Sequence, residues 1–314
     1  MSDMAGRSCP LRYRYGAEAI ARLPAVEAET LYVLGGLYGN LPALDVVERL
    51  AAAESGPVTL IFNGDFNWFD VDDTSFAEIN RRVLAHHAIV GNVEAELGVD
   101  GDAAGCGCAY PDHVDSVVVE RSNRIHARLK ASAAQHPDIL AALAGLPMIA
   151  RFAIGDQRVA VVHGDADSLA GWRFDAAALS DPQNQPWLVE AFHRSDVDIF
   201  ASTHTCLPAL RRFSPGLIAN NGAAGMPNFS EQRYGLLTRI STRPPGEDAL
   251  YGEVQNGVHI HALPIRYDHT DWVERFLANW PEGSDAWLSY FKRIEHGPDY
   301  LRPRIRHKAE LTTA

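Results

Sequence analysis

The chain has 314 residues, of which 46% are hydrophobic and 22% are charged, so it can bury a substantial core and has the composition of a soluble globular protein. Its formal net charge of −12 and the lack of a long basic run argue against a large nucleic-acid interface. The sequence contains no apolar run long enough for a membrane span, and its polar start does not resemble a signal peptide. With four scattered cysteines, we expect a cytoplasmic protein with free thiols and no membrane association.

Five segments repeat one pattern, in which an apolar strand runs into a polar loop. They are TLYVLGG, VTLIFNGD, HHAIVGNVE, RVAVVHGDAD and VDIFASTHT. The periodicity of apolar residues between them predicts helices at 41–53, at 76–88, at 186–195 and, in two pieces divided near His136-Pro137, at 122–146. After Pro208 the pattern becomes β, with strands in ALRRF, LIANNG, YGLLTRI and GVHIHAL, and 270–294 is helical again with many aromatic residues. We therefore predict an α/β domain at 1–265 and a C-terminal helical extension at 266–314.

Polar side chains stand at four of the predicted strand ends. They are Asp65, Asn92, His163 and His204. Each alone is more easily interpreted as a turn residue or a hydrogen-bonded structural histidine. Loops at the carboxyl ends of strands in open α/β sheets share one ligand site, so these side chains are expected to lie together. Such a set of oxygen and nitrogen ligands suits manganese, iron or zinc and leaves a position for water.

The order and context of these motifs resemble the calcineurin-like metallophosphoesterases, and most closely their phosphodiesterase-like branch. The matching stretches, within about residues 31–241, are GGLYGNLPAL, NGDFNWFD, GNVEAEL, VVHGD, STHTCLPAL and NNGAAGMP. The resemblance implies a four-layer α/β/β/α sandwich of two mixed sheets. It also implies two adjacent metal ions, with a water or hydroxide that they hold attacking phosphorus in line.

The family pattern can be carried over residue by residue. Asp65 would bridge both metals, and Asn92, His163 and His204 would complete the second site. The first site opens with Asp-x-His in the family, where this chain has Gly36 and Tyr38. Its last ligand is the second histidine of His-x-His, where this chain has Cys206.

The substitutions all fall on one metal site, so the resemblance implies one bound divalent transition metal ion (Mn, Fe or Zn), and a second ion is doubtful. Two interpretations of Tyr38 and Cys206 remain open: they rebuild the first site as phenolate and thiolate ligands, or they only fill the vacated space. Asn40, which follows the first motif, is intact. The histidine that often serves as general acid is replaced by Val93.

Two carboxylates near the predicted site have open roles. Glu94 and Asp165 either donate a proton to the leaving group or, as we favour, accept hydrogen bonds from ligand histidines. Three other features are expected to be structural. We interpret Cys106 and Cys108 as thiols of a flexible loop, Asp70 as a loop-surface residue, and His86-His87 as the end of a helix.

The sequence thus favours a metal-dependent phosphoesterase that hydrolyses a phosphodiester or an activated phosphomonoester by metal-bound water. The expected partner is a small phosphorylated substrate. One alternative is a catalytically impaired pseudoenzyme that binds a metal, nucleotide or protein. Another is a mononuclear-metal enzyme of altered chemistry on the same fold. The sequence leaves open whether the aromatic tail packs on its own domain or across a homo-oligomer.

Overall fold

The computed structural model describes residues 5–101 and 103–302, which form two six-stranded sheets packed face to face with helices on their outer faces. The first sheet has the strand order β1-β5-β6-β7-β9-β8. Its strands are β1 (Val26–Glu27), β5 (Ile149–Ile154), β6 (Gln157–Val162), β7 (Ile199–Ser202), β8 (Pro208–Arg212) and β9 (Leu217–Asn221).

The second sheet has the order β11-β12-β10-β2-β3-β4. Its strands are β2 (Thr30–Leu34), β3 (Val58–Asn63), β4 (His87–Ile89), β10 (Gly235–Ser241), β11 (Tyr251–Gln255) and β12 (Val258–Ile265). Both sheets are mixed, with parallel β2-β3-β4 in the second sheet and parallel β6-β7-β9 in the first. The predicted α/β class and its sandwich of two mixed sheets are therefore confirmed.

The α-helices of the described residues cover the two sheets. They are α1 (Ala17–Ala21), α2 (Leu41–Ala53), α3 (Asp73–Val83), α4 (Asn92–Leu97), α5 (Ser116–Ala133), α6 (Pro137–Ala144), α7 (Gln185–Ser195), α8 (His269–Asn279) and α9 (Lys292–His296). A π-helical turn at Trp287–Phe291 precedes α9. None of the helices in the described ranges is long and apolar enough to span a membrane.

Side-chain alternation along β2 explains the layering. Leu31 and Val33 face the first sheet and join the core between the sheets. Tyr32 and Leu34 point the other way and join the core beneath α2, α3, α5 and α8. A strand that is apolar on both faces is buried on both faces, which fixes β2 as a central strand of a layered sandwich.

The prediction of a helix at 76–88 is wrong at its C-terminal end. Helix α3 ends at Val83, and His87 begins the short parallel strand β4. The polar pair His86-His87 lacks the apolar pattern of a strand, and β4 is only three residues long, so pairing with β3 decides its structure rather than local propensity. Strands β1, β5 and β11, which sequence reasoning did not predict, all lie at or next to a sheet edge.

The chain after β12 packs on the second sheet's helical layer. Trp272 and Phe276 of α8 are buried in that core, and Trp280 Nε1 donates a hydrogen bond to the Phe69 carbonyl oxygen at 3.0 Å. This contact anchors α8 to the loop after β3. The division of the chain at residue 265 stays a prediction, and the end of the predicted extension lies outside the described residues.

Candidate metal centre

Loops that follow four parallel strands meet at one edge of the sandwich. Asp65 follows β3, Asn92 follows β4, His163 follows β6, and His204 follows β7. All four side chains are buried, with at most 6% of their surface exposed. The structure thus brings together the four side chains that sequence reasoning selected, which we call the acceptor cluster.

Two glycines allow the loops after β3 and β4 to approach this closely. A Cβ atom on Gly64 would lie 2.5 Å from the Cα atom of Gly91 and 2.7 Å from Nδ1 of His163. Gly64 also has φ +76°, a left-handed conformation that costs glycine little. A side chain here would push Asp65, Asn92 and His163 apart.

His163 lies at the middle of the acceptor cluster. Its Nε2 atom is 3.3 Å from Asp65 Oδ2, 3.1 Å from Asn92 Oδ1 and 3.3 Å from His204 Nδ1. Ligand atoms bound to one ion at about 2.0–2.2 Å in tetrahedral or octahedral geometry are separated by about 3.0–3.5 Å. These separations therefore fit a single bound ion.

Backbone carbonyls fix which atoms point inward. His163 Nδ1 donates to the Asn63 carbonyl oxygen at 2.7 Å, and His204 Nε2 donates to the Cys108 carbonyl oxygen at 3.1 Å. Each neutral ring then presents a bare nitrogen to the centre, which is how second partners orient ligand histidines in metal sites.

The amide of Asn92 is oriented in the same way, because its Nδ2 donates to the Cys106 carbonyl oxygen at 2.9 Å and leaves Oδ1 facing inward. Four acceptor atoms thus converge when both histidines are neutral, and no donor from residues 5–101 or 103–302 lies between them. Converging lone pairs need a cation, either a proton or a metal ion.

The charges of the cluster agree with this requirement. Burial opposes ionisation of Asp65, but the adjacent histidines still lower its carboxyl pKa. Burial also opposes charge on His163, yet the Asp65 carboxylate raises the pKa of that ring. Burial and the charge of His163 lower the pKa of His204 to about 3, so His204 is neutral at physiological pH. The cluster therefore favours a cation beside the Asp65 carboxylate, and binding of a metal ion would compete with binding of a proton.

Glu94 organises the loop that carries Asp65. Its carboxylate accepts hydrogen bonds from the backbone N–H groups of Asp65 at 2.8 Å, Phe66 at 3.0 Å, Asn67 at 3.2 Å and Gly91 at 3.2 Å. Burial and the nearby Asp65 charge raise the pKa of Glu94 to about 7. The favoured prediction, that Glu94 and Asp165 hold ligand histidines, is wrong, because backbone carbonyls hold both rings.

Tyr38 and Cys206 form the opposite wall, which we call the tyrosine side. Their hydroxyl oxygen and Sγ are 2.9 Å apart and hydrogen-bonded. Burial raises the pKa of Tyr38 well above its ordinary value and raises that of Cys206, so both groups are neutral in the metal-free protein. A Cβ atom on Gly36 would lie 2.8 Å from the Tyr38 ring and hydroxyl, so the ring occupies the space of a side chain at position 36.

Backbone strain is concentrated at this centre. Tyr38, Asp65 and Cys206 have φ values of 56°, 55° and 60°, which are uncommon for residues other than glycine. Such conformations persist only where the surrounding structure enforces them, and they concentrate at functional sites.

A narrow cavity of about 60 Å³ opens onto both sides. Its walls are largely aromatic, with Trp68, Tyr110, Trp172 and Tyr290 above the cluster. Trp172 meets His204 edge to face at 5.3 Å, and its Nε1 donates to the Cys108 carbonyl oxygen at 3.0 Å. Among the described residues no Lys or Arg lines this cavity.

Several predicted site residues lie elsewhere. Asn40 caps helix α2, because its Oδ1 accepts from Ala43 N at 2.9 Å, and it does not line the cavity. Asp165 accepts backbone hydrogen bonds within its own loop, from Asp167, Ser168 and Arg173, and lines a separate groove. Neither Glu94 nor Asp165 lines the cavity, so neither is placed to donate a proton there.

Two further structural interpretations from the sequence differ from the structure. Cys106 and Cys108, which we interpreted as thiols of a flexible loop, are free thiols that are buried, and Cys108 lines the cavity. Asp70 is 2% exposed, and burial raises its carboxyl pKa well above the ordinary value. Sequence reasoning also missed the carbonyls of Asn63 and Cys108, since a backbone acceptor leaves no signature in residue identity.

Comparison with solved structures defines the class of fold. The chain has the calcineurin-like phosphoesterase fold of the metallophosphoesterases. A metallophosphoesterase from Sphaerobacter thermophilus matches with a TM-score of 0.54 and 17% identity, over 83% of this chain and 98% of that one. A hypothetical protein from Pyrococcus horikoshii matches with a TM-score of 0.58 and 15% identity, over 88% of this chain and 100% of that one. Neither the family models nor the curated proteins give a match.

Proposed function

We propose that this chain is a metal-dependent phosphoesterase that uses a single divalent transition metal ion to hydrolyse a phosphodiester or an activated phosphomonoester. The observation that carries the proposal is the convergence of Asp65 Oδ2, Asn92 Oδ1, His163 Nε2 and His204 Nδ1 with separations of 3.1–3.3 Å around His163. An ion bound there would lower the pKa of a water nucleophile and neutralise charge on the phosphoryl group.

Residues of this chain supply negative charge, orient the ligand atoms and exclude water. Asp65 and His163 supply the charge and the central ligand atom, and the Asn63 and Cys108 carbonyls keep both imidazoles in the required tautomer. Glu94 holds the backbone of Asp65 in its strained conformation. The aromatic residues around the cavity exclude bulk water, which strengthens electrostatic interactions inside it.

We further propose that the first metal position of the family is not used. Gly36 has no side chain to offer, and the neutral pair Tyr38 and Cys206 satisfies its own hydrogen bond. Loss of one ion removes an electrostatic clamp on the transition state, which costs on the order of 3 kcal/mol. The general acid is also replaced by Val93. Slow turnover and a substrate with a good leaving group follow from both losses.

The cavity's character favours a second candidate function. Its small volume, its aromatic walls and the lack of a cationic side chain among its described lining residues are unusual for a site that binds a phosphate dianion. A mononuclear-metal protein that performs other chemistry, or that binds the metal without hydrolysis, would keep the acceptor cluster and lose the phosphate-binding charges.

Elemental analysis combined with a hydrolysis screen separates these functions. The protein is purified without chelator, its metal is quantified, and bis(p-nitrophenyl) phosphate, nucleotides and phosphomonoesters are tested as substrates. About one equivalent of metal with phosphodiester hydrolysis supports the proposal. One equivalent of iron without hydrolysis supports the second candidate, and a metal-free protein that no divalent ion activates overturns both.

A further inference from the structure

A second and larger cavity lies on the other side of the metal cavity's wall. This groove has a volume of about 570 Å³, and four arginines line it: Arg7, Arg14, Arg173 and Arg194. The chain as a whole carries a net charge of −12, whereas this groove is lined by four arginines and two carboxylates, Asp165 and Asp167. We call this cavity the arginine groove.

The arginine groove and the metal cavity are separated by two short stretches of chain. Cys108, Tyr110 and Trp172 line the metal cavity, whereas their chain neighbours Ala109, Gly171 and Arg173 line the groove. Residues 108–110 and 171–173 therefore form a wall that the two cavities share.

Three of these arginines have no carboxylate partner within residues 5–101 and 103–302. Arg7 donates to the carbonyl oxygens of Pro111 at 2.9 Å and Val114 at 2.7 Å, which fixes the guanidinium without neutralising it. Arg173 stacks on the Trp187 ring at 4.6 Å. Arg14 is exposed and its side chain makes no hydrogen bond or ion pair there.

The carboxylates of the groove are already engaged. Asp165 accepts three backbone N–H groups and is 4% exposed. Asp167 accepts from Ala17 N at 3.2 Å and from Trp187 Nε1 at 3.1 Å. The fourth arginine, Arg194, forms a two-point ion pair with Glu18 at 2.7 and 2.8 Å, and its Nη1 lies 3.7 Å from Asp167 Oδ1. The groove is therefore lined by four arginines and two carboxylates, and Arg7, Arg14 and Arg173 are the arginines that form no ion pair within the described residues.

We propose that the arginine groove binds a phosphate group that the substrate carries beyond the ester bond to be cleaved. The inference rests on the proposed phosphoesterase function. Guanidinium groups form paired hydrogen bonds with phosphate oxygens. Arg7 and Arg173 are already held by backbone carbonyls and by the Trp187 ring, so they lose little entropy on binding. The groove also supplies the cationic charge that the metal cavity lacks.

Two matched substrates test the proposal. Thymidine 5′-(p-nitrophenyl phosphate) has one phosphate, and its 3′-phosphorylated counterpart adds a second phosphate at the far end of the nucleoside. The second phosphate is expected to lower KM about tenfold, and Arg14→Ala or Arg173→Ala should remove most of this advantage without changing the kinetics of the first substrate. Arg49→Ala is the control, since Arg49 is exposed on α2 and has no partner in the described part of the chain.

Equal KM values for the two substrates in the unaltered protein would overturn the proposal. An equal rise in KM for both substrates in Arg14→Ala would overturn it as well. Calorimetric titration of the chelator-treated protein with pyrophosphate separates this failure from that of the phosphoesterase function. Pyrophosphate binding that weakens in Arg14→Ala but not in Arg49→Ala supports a phosphate site in the groove even if no ester is hydrolysed. Identical binding by both variants refutes that site. If pyrophosphate binds in the groove but the second phosphate does not lower KM, the groove binds free anions, and its assignment to the substrate is overturned.

Discussion

The acceptor cluster and the tyrosine side face one another across a narrow cavity, but they satisfy their polar atoms differently. In the acceptor cluster, backbone carbonyls take up the outward-facing donors, so that four lone pairs converge and require a cation. On the tyrosine side, the Tyr38 hydroxyl and the Cys206 thiol are hydrogen-bonded to each other and remain neutral. The difference indicates that metal binding depends on how ligand atoms are oriented and desolvated, in addition to which residue types are present.

Removal of the central ligand should have the largest effect. We expect His163→Ala to reduce bound metal from about one equivalent to near zero and to abolish hydrolysis, because Nε2 of His163 contacts three other ligand atoms of the cluster. Metal binding should also raise the thermal stability of the unaltered protein, by about 2.7 kcal/mol at a hundredfold excess of metal over its Kd, but not that of the variant. Elemental analysis and calorimetry measure both effects.

His193→Ala is the matched control, since His193 is exposed on α7. It should keep its metal and its activity. Unchanged metal content in a folded His163→Ala protein would reject the acceptor cluster as the binding site.

Restoration of the first metal site would test whether the tyrosine side can bind an ion. The triple variant Gly36→Asp/Tyr38→His/Cys206→His gives the tyrosine side the ligands of the family pattern. It is expected to bind a second equivalent of metal and to hydrolyse a phosphodiester faster, up to roughly a hundredfold if the second ion contributes about 3 kcal/mol to transition-state stabilisation.

The single change Gly36→Asp is the informative control. Its Cβ would meet the Tyr38 ring at 2.8 Å, so the variant should be destabilised and bind no second ion. A triple variant that folds and still binds one ion would show that features beyond the three ligands closed the first site.

An intermediate effect is expected at Glu94, which touches no ligand atom of the metal but holds the backbone of Asp65. Glu94→Gln replaces one acceptor oxygen with an N–H donor that faces other donors. The loss of such supporting hydrogen bonds typically lowers metal affinity by 10–100-fold. Competition with a coloured chelator measures this affinity. Glu120→Gln, a change at the exposed surface of α5, should leave it unchanged.

Most of the scaffold and the acceptor cluster could be predicted because their signals are local. Apolar strands that end in Asp65, Asn92, His163 and His204 reveal both the sheet and its polar edge. Helix α2 matches its predicted bounds because an Asn40 cap, an early proline and a regular apolar stripe agree. The sequence also showed the difference between the two sides of the cavity, since Gly36, Tyr38 and Cys206 stand where the family pattern has ligands of the first metal.

Long-range contacts explain what the sequence did not reveal. The helix predicted to run to residue 88 ends at Val83, and His87 instead begins β4, which pairs with β3. The loop with Cys106 and Cys108 looked flexible from its small residues, yet it is buried because its carbonyls accept hydrogen bonds from Asn92 and His204. The arginine groove joins Arg14 with Arg173 across a large stretch of chain, and a residue pattern cannot show such a meeting.

The smallest effect is expected for Tyr38→Phe, and it decides between the two interpretations of the tyrosine side. If Tyr38 only fills space, loss of its hydroxyl removes one hydrogen bond to Cys206 and costs about 0.5–1.5 kcal/mol of stability, while metal content and kcat stay within about twofold.

If Tyr38 binds a ferric ion as phenolate, the unaltered protein should contain a second equivalent of metal and absorb visible light through phenolate-to-iron charge transfer. Both signals should then disappear in Tyr38→Phe. Cys206→Ser is the companion variant. If Cys206 binds metal as thiolate, this variant should lose metal; if Cys206 only fills space, the serine hydroxyl keeps the hydrogen bond to Tyr38 and the metal content stays unchanged. Retention of a single, unchanged metal equivalent in both variants would establish that only the acceptor cluster binds the ion.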